Sequence, residues 1–113
     1  MVELLYFDGC PSYERLLPRL RELVESRAPG ARVELRRVDS AAAAERERFL
    51  GSPTVRVDGE DVDPSGHALS DFGLKCRLYR VGDRYAQTPA DEWIVAALER
   101  AAAGGEPQPG RDP

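Results

Sequence analysis

The sequence is poor in cysteine and histidine, which narrows the chemistry that it can support. Its 113 residues include two cysteines, Cys10 and Cys76, and one histidine, His67. Two cysteines do not make the disulfide scaffold of a small secreted domain. Any thiol chemistry must use one or both of these cysteines, and no cofactor is predicted. His67 falls in a polar loop, where a solvent-exposed side chain is expected.

Long apolar runs and basic stripes are also missing from the sequence. No apolar run approaches the roughly 20 residues that a membrane-spanning helix needs. The net charge is -4, and no Lys/Arg stripe with interleaved aromatics is present, so neither a membrane nor a nucleic acid is a predicted partner. The first predicted strand begins at residue 2, which leaves no room for a signal peptide. We therefore expect a cytoplasmic protein whose thiols are mostly kept reduced.

Length and composition indicate one globular domain. Hydrophobic residues make up 42% of the chain and charged residues 32%, which is typical of soluble domains. A chain of this length corresponds to a single domain. We predict that residues 1–104 form this domain. Residues 105–113 are rich in proline and glycine, and we predict a disordered tail there.

Apolar periodicity and turn signals divide the domain into strands and helices. Strands are predicted over residues 2–7, 32–38, 52–57 and 60–62, and helices over 11–27, 41–50 and from 88 to about 104. Residues 64–88 form an insertion with a loop and a hairpin that turns at Gly82-Asp83. Two strands joined through a helix pair in parallel, and the Asp58-Gly59 turn adds an antiparallel pair. We therefore predict an α/β fold of order β-α-β-α-β-β-α, with a mixed four-stranded sheet and helices on both faces.

Cys10 lies where the first strand meets a helix that opens with proline. Pro11 suits the first helical position, and a residue before proline avoids the helical conformation. We therefore predict that Cys10 caps the helix and that its sulfur faces the free N–H groups of Ser12 and Tyr13. That position favours a thiolate, which Asp8 would oppose, so a moderately acidic thiol is expected. The alternative is a buried cysteine that acts as a small hydrophobic residue.

Three features of the chain resemble the thioredoxin-fold family. Cys10 stands at the first-cysteine position of the C-x-x-C motif, Pro18 follows where the family has a helix-kinking proline, and Ser52-Pro53 resembles the segment with the cis-proline. The chain is more narrowly similar to small bacterial thioredoxin-like proteins, many of which are labelled alkylmercury lyase-like. The segments that carry this narrower resemblance are Leu5-Tyr6-Phe7-Asp8-Gly9-Cys10-Pro11, Gly51-Ser52-Pro53-Thr54-Val55, Val57-Asp58-Gly59 and Gly73-Leu74-Lys75-Cys76-Arg77-Leu78-Tyr79.

The resemblance implies a substrate site, but one position departs from the family motif. Tyr13 replaces the second cysteine, so either Cys10 works as a single thiol or Cys76 supplies the second sulfur from the insertion. A cis bond at Pro53 would place the Ser52 backbone near Cys10 and leave it free to pair with an extended substrate. The predicted substrate-binding residues are Pro11, Tyr13, Ser52 and Pro53.

Three functions are compatible with these residues. The first is a thiol-dependent oxidoreductase in which Cys10 is the nucleophile, Cys76 is a possible resolving thiol, and the partner is a thiol or disulfide of a protein or small molecule. The second is binding of a soft metal, Hg(II) or Cu(I), by both cysteines, or an alkylmercury lyase-like reaction with Asp8 as proton donor. The third is a non-catalytic adaptor that binds a peptide at Ser52-Pro53. For Cys76, the alternative to a functional thiol is a packed cysteine at the start of a hairpin.

Overall fold

The computed structural model describes residues 1–104 of the chain. In chain order its elements are β1 (Val2–Tyr6), α1 (Ser12–Arg27), β2 (Val33–Arg37), α2 (Ala41–Glu47), β3 (Thr54–Val57), β4 (Glu60–Asp61), a 3-10 helix (Gly66–Ala68), β5 (Tyr79–Val81), β6 (Arg84–Ala86) and α3 (Asp91–Gly104). The predicted α/β class and the mixed four-stranded sheet are confirmed, and the insertion contains the predicted hairpin. The predicted tail, residues 105–113, lies outside the described residues. None of the helices described is both long and apolar enough to cross a membrane.

The main sheet has the strand order β2-β1-β3-β4. Strand β1 pairs in parallel with β2, where Val2 lies opposite Val33, and antiparallel with β3, where Leu5 lies opposite Thr54. The β3–β4 turn has positive φ at both central residues, 52° at Asp58 and 86° at Gly59, as a tight hairpin turn of this type requires. Strands β5 and β6 form a separate two-stranded sheet.

The two faces of the main sheet carry separate hydrophobic clusters. Because successive strand residues point to opposite faces, Leu4 and Leu5 belong to different clusters. The Leu4 cluster joins the sheet to α1 and α3 and contains Val2, Leu4, Leu16, Leu20, Leu23, Val24, Val55, Val57, Val62, Ile94, Ala97 and Leu98. The Leu5 cluster joins it to α2 and contains Leu5, Val38, Ala43, Ala44 and Phe49. Helices therefore cover both faces, as predicted.

The start of α1 differs from the prediction by one residue. Pro11 is the N-cap, with a helical φ of -79° and ψ of -1°, and its carbonyl accepts the Glu14 N–H at 3.0 Å. No side chain caps this helix. Cys10 belongs to the preceding turn, where its N–H donates to the Phe7 carbonyl at 3.3 Å. The predicted capping role of the Cys10 sulfur is therefore wrong, because the proline itself takes the cap position.

Two other helix ends also differ from the prediction. Helix α2 ends at Glu47, before the predicted end at residue 50, because Arg48 adopts a left-handed conformation with φ of 56°. Helix α3 begins at Asp91 and not at Thr88. The carbonyl of Ala90 accepts the first hydrogen bonds of this helix, so the Thr88 side chain does not open it.

Candidate functional site

The two cysteines meet at one end of the main sheet. Cys10 follows β1 and Cys76 lies in the insertion, 66 residues later, and the two form a disulfide. Their Cα atoms are 5.6 Å apart, which is within the usual range for a bridged pair. Cys10 is fully buried, whereas Cys76 is exposed. Cys76 is therefore not the packed cysteine that the sequence left open as an alternative.

The Ser52-Pro53 segment lies against this disulfide. The Ser52–Pro53 peptide bond is cis, and the Ser52 carbonyl oxygen is 3.5 Å from the Cys10 sulfur. The Ser52 N–H donates to the Lys75 carbonyl and the Ser52 carbonyl accepts from the Arg77 N–H, both at 2.8 Å. The Ser52 backbone is thus close to Cys10, as expected, but it is not free to pair with an extended substrate. Its partner is the protein's own insertion.

Arg77 fixes the insertion to the main sheet through a buried ionic network. Its guanidinium donates to the Asp61 carboxylate at 2.7 Å and to the Asp63 carboxylate at 3.2 Å. It also donates to the Thr54 hydroxyl at 3.0 Å. The Arg77 side chain is 4% exposed, so the network excludes water and removal of one member would leave uncompensated charge. We call residues 75–79 the anchored segment.

The groups around Arg77 stabilise the charged form of its guanidinium. Burial by itself lowers the pKa of the guanidinium, but the neighbouring Asp61 and Asp63 carboxylates favour its charged form, and the pKa is raised above its ordinary value. The guanidinium carbon also lies 4.3 Å from the centre of the Tyr79 ring, within the range of a cation–π contact. Arg77 is therefore a permanent cation inside the protein.

Tyr79 adds a second link between the anchored segment and the cis-proline. Its hydroxyl donates to the Pro53 carbonyl at 2.5 Å, and the side chain is fully buried. Burial is the main reason that the pKa of Tyr79 is raised well above the ordinary value for tyrosine. The neutral phenol that donates this bond is therefore the form that the fold retains.

We expect Tyr79→Phe to lower the free energy of unfolding by about 1–3 kcal/mol, because the Pro53 carbonyl loses its phenol donor while the ring is kept. Denaturant unfolding measures this loss, and Tyr85→Phe, at an exposed position on β6, is the matched control.

The stabilisation by Tyr79 should also depend on pH. In the unfolded chain Tyr79 ionises near pH 10, and in the folded chain only at higher pH, so its stabilisation is lost as the pH rises above about 10. A Tyr79→Phe protein with unchanged stability and the same alkaline profile would contradict this role.

Gly51 makes the close approach of the anchored segment possible. Its φ is 127°, in the region that favours glycine. A Cβ atom at this position would lie 2.9 Å from the Arg77 Cβ and 3.0 Å from the Lys75 carbonyl oxygen. Any larger residue at Gly51 would therefore push the anchored segment away from Ser52.

The other predicted site residues lie around the β1–α1 junction. Tyr13 stacks on Tyr6 with ring centroids 4.1 Å apart and is partly buried, which chiefly accounts for its raised pKa. Pro11 is exposed. The Asp8 carboxylate pairs with Arg37 at 3.1 Å on the surface, so its predicted opposition to a Cys10 thiolate is partly compensated.

One polar atom beside the disulfide has no partner. The Ser52 hydroxyl is buried and, among the residues described, makes no hydrogen bond. A buried hydroxyl without a partner costs free energy, so the Ser52 side chain does not stabilise the fold through a hydrogen bond.

A cleft lies away from the disulfide. It has a volume of about 560 Å³ and is lined in part by Arg48, Arg56, His67 and Phe72, and neither cysteine contributes to it. His67 is exposed there, as predicted, but it lies in the 3-10 helix and not in a loop. In the part of the chain that the structure describes, no group of three or more His, Cys, Asp or Glu side chains is placed to hold a metal ion.

Sequence reasoning missed the network that positions Cys76. A charged residue in a polar insertion is normally expected to be solvated, so the burial of Arg77 is not predicted from the sequence. In the sequence, apolar Leu74, Cys76 and Leu78 alternate with Lys75, Arg77 and Tyr79, but the structure exposes the apolar positions and buries Arg77 and Tyr79, so this alternation predicts the wrong face. That pattern is typical of an extended segment with one face packed.

Comparison of the chain with protein-family models, curated proteins and solved structures gives no match. The geometry of the cysteine pair and of the anchored segment is therefore the basis for a functional assignment. A fold by itself would not identify the chemistry.

Proposed function

We propose that the protein is a thiol–disulfide oxidoreductase of thioredoxin-like fold whose redox couple is Cys10–Cys76. The observation that carries this proposal is the pairing of the chain's two cysteines, 66 residues apart, beside the Ser52-Pro53 segment. The insertion supplies the second sulfur that the C-P-S-Y motif lacks at Tyr13. In a cytoplasmic protein, as predicted here, a disulfide is usually transient and catalytic or redox-sensing.

The proposed reaction is a complete exchange of two electrons. The reduced protein gives two electrons and two protons to a partner disulfide, which becomes two thiols while the Cys10–Cys76 bond forms. The reverse direction consumes two partner thiols and releases their disulfide. Each direction passes through a mixed disulfide between the partner and one protein sulfur. When the protein reduces a partner disulfide, the other protein sulfur resolves the mixed disulfide, and in the reverse direction a second partner thiol resolves it. Partner candidates are a protein thiol or a small thiol, and the chemistry needs no cofactor.

Single-cysteine variants test this function. We expect the purified oxidised protein to lose two mass units relative to its reduced form, as a monomer with no free thiol. With dithiothreitol as electron donor it should accelerate reduction of a model disulfide such as that of insulin. Cys10→Ser and Cys76→Ser should each abolish the acceleration, while Ser26→Ala, at an exposed position on α1, should retain it. Two free thiols after treatment with diamide, or full activity in either cysteine variant, would rule out the couple.

The soft-metal alternative draws on the same adjacency of the two sulfurs. Once reduced, Cys10 and Cys76 would supply two thiolates, the ligand type that Hg(II) and Cu(I) prefer. This alternative predicts one metal ion per reduced chain by mass spectrometry and no binding in either cysteine variant. Metal binding without disulfide turnover would favour it over the oxidoreductase. The peptide adaptor receives less support, because the Ser52 backbone is already paired with Lys75 and Arg77.

A further inference from the structure

We infer that Cys76, and not Cys10, is the sulfur that exchanges with the partner, and that Cys10 is the internal, resolving sulfur. The inference rests on the proposed function and assigns the roles within the same couple. It reverses the roles that the sequence predicts, in which Cys10 at the start of the helix is the nucleophile. Three observations carry it. They are the unequal burial of the two cysteines, the anchoring of Cys76 by contacts other than the disulfide, and the Ser52 carbonyl oxygen beside the Cys10 sulfur.

The two cysteines of the couple differ in exposure to solvent. Cys10 has no exposed surface, whereas Cys76 is an exposed residue. Cys76 lies on the outward side of an extended stretch, between exposed Leu74 and Leu78. Thiol–disulfide exchange requires direct contact between the attacking thiolate and the sulfur that it attacks, so access decides which sulfur reacts. A partner thiolate therefore reaches the disulfide at Cys76.

The burial of Cys10 does not depend on the disulfide. The anchored segment is held by two backbone hydrogen bonds to Ser52 at 2.8 Å and by the ion pairs of Arg77. The bond from Tyr79 to the Pro53 carbonyl adds a further contact. None of these contacts involves sulfur, so reduction leaves the segment in place over Cys10. The reduced protein then presents Cys76 to its partner and keeps Cys10 covered.

The surroundings of Cys10 also favour the uncharged thiol. Its sulfur is 3.5 Å from the Ser52 carbonyl oxygen, which can accept a hydrogen bond from an S–H group but not from a thiolate. Burial likewise disfavours the charged form of a cysteine. Cys10 is therefore suited to reactions with the adjacent Cys76 sulfur, either as the attacking sulfur or as the leaving group. Neither reaction needs a partner to approach Cys10 from solvent.

The exchange balances with these roles. In the reducing direction, the Cys76 thiolate attacks a partner disulfide, a Cys76–partner bond forms, and one partner thiolate leaves. Cys10 then loses its proton to water and attacks the Cys76 sulfur, which forms the Cys10–Cys76 bond and expels the second partner thiolate. In the opposite direction a partner thiolate attacks Cys76 and Cys10 leaves, and a second partner thiolate attacks the partner sulfur of the mixed disulfide and frees Cys76.

Mapping the first mixed disulfide tests the inference on the unaltered protein. Oxidised protein would be mixed briefly with glutathione, quenched in acid, unfolded and alkylated with N-ethylmaleimide, and its peptides analysed by mass. We expect glutathione on Cys76 and the alkyl group on Cys10 in the large majority of singly modified chains. Glutathione on Cys10 with the alkyl group on Cys76 would overturn the inference.

Single-thiol variants provide an independent measurement. With an aromatic disulfide reagent, the Cys10→Ser protein, which retains Cys76, should react at about the rate of a free cysteine. The Cys76→Ser protein should react at least about tenfold more slowly, because the anchored segment must open before Cys10 is reached. In denaturant the two rates should become equal. A faster reaction of Cys10 than of Cys76 in the folded proteins would count against the inference.

Failure of the inference and failure of the proposed function give different results. If the couple does not operate, no disulfide turnover occurs and no mixed disulfide resolves to the Cys10–Cys76 bond. If the couple operates with the roles predicted from the sequence, turnover is intact and glutathione is found on Cys10.

Discussion

Reduction of the Cys10–Cys76 disulfide is expected to lower the free energy of unfolding by about 4 kcal/mol. The bond closes a long loop, with its ends separated by 66 positions in sequence, and in the chain-entropy account a loop of this length restricts the unfolded chain by about that amount. The native contacts of the anchored segment do not involve sulfur, so the reduced protein should remain folded. Urea unfolding with and without dithiothreitol measures the difference as a shift of the midpoint with little change in slope.

A Cys10→Ala/Cys76→Ala protein is the control for this measurement. Its stability should be close to that of the reduced wild type and should not respond to dithiothreitol. A reduced protein as stable as the oxidised one would show that the bond does not restrict the unfolded chain. A reduced protein without a cooperative transition would show that the anchored segment depends on the disulfide, and Cys10 would then be accessible after reduction.

Replacement of Arg77 by methionine is expected to lower the free energy of unfolding by about 3–5 kcal/mol, which is a large part of the stability of a domain of this size. Methionine retains much of the side-chain volume but leaves the Asp61 and Asp63 carboxylates close together, with their counter-charge removed. The lost contacts are those that hold Cys76 over Cys10. The single-thiol Cys76→Ser protein should therefore become more reactive at Cys10 when Arg77→Met is added.

Two further variants separate the buried charge from loss of packing. Arg84→Ala removes an exposed arginine from the neighbouring strand β6 and should change stability by no more than about 0.5 kcal/mol. Combining Arg77→Met with Asp61→Asn and Asp63→Asn removes both uncompensated carboxylates, so stability should partly recover. Equal stability of the Arg77→Met and Arg84→Ala proteins would refute a structural role for the network.

The sheet and helices could be predicted because their signals are local. Leu4 and Leu5 of β1 point to opposite faces of the sheet. The apolar residues of α1 lie on one face of that helix: Leu16, Leu20, Leu23 and Val24. The hairpin turn at Asp58-Gly59 is likewise encoded by the two residues that form it. These features predict the parallel β1–β2 pair and the β3–β4 hairpin, whereas the antiparallel pairing of β1 with β3, which completes the strand order, joins residues far apart in the chain and was not predicted.

The position of Cys76 could not be predicted, because it depends on residues far along the chain. Arg77 is 14 residues from Asp63 and 16 from Asp61, and each of these residues alone reads as a solvated loop charge. Only the folded chain brings the three together. The early end of α2 was not predicted for a different, local reason: Arg48 adopts a left-handed conformation that non-glycine residues rarely take.

The strand order also bears on aggregation. A sheet edge with unpaired N–H and C=O groups can add a strand from another molecule unless it is short or carries charge. Strand β4, at one edge, has two residues, and β2, at the other, presents exposed Glu34 and Arg37. An added strand at β2 would have to partly desolvate these charges, although the exposed Leu35 between them is apolar. The short β4 and the charges of β2 therefore both disfavour edge-to-edge growth of the main sheet.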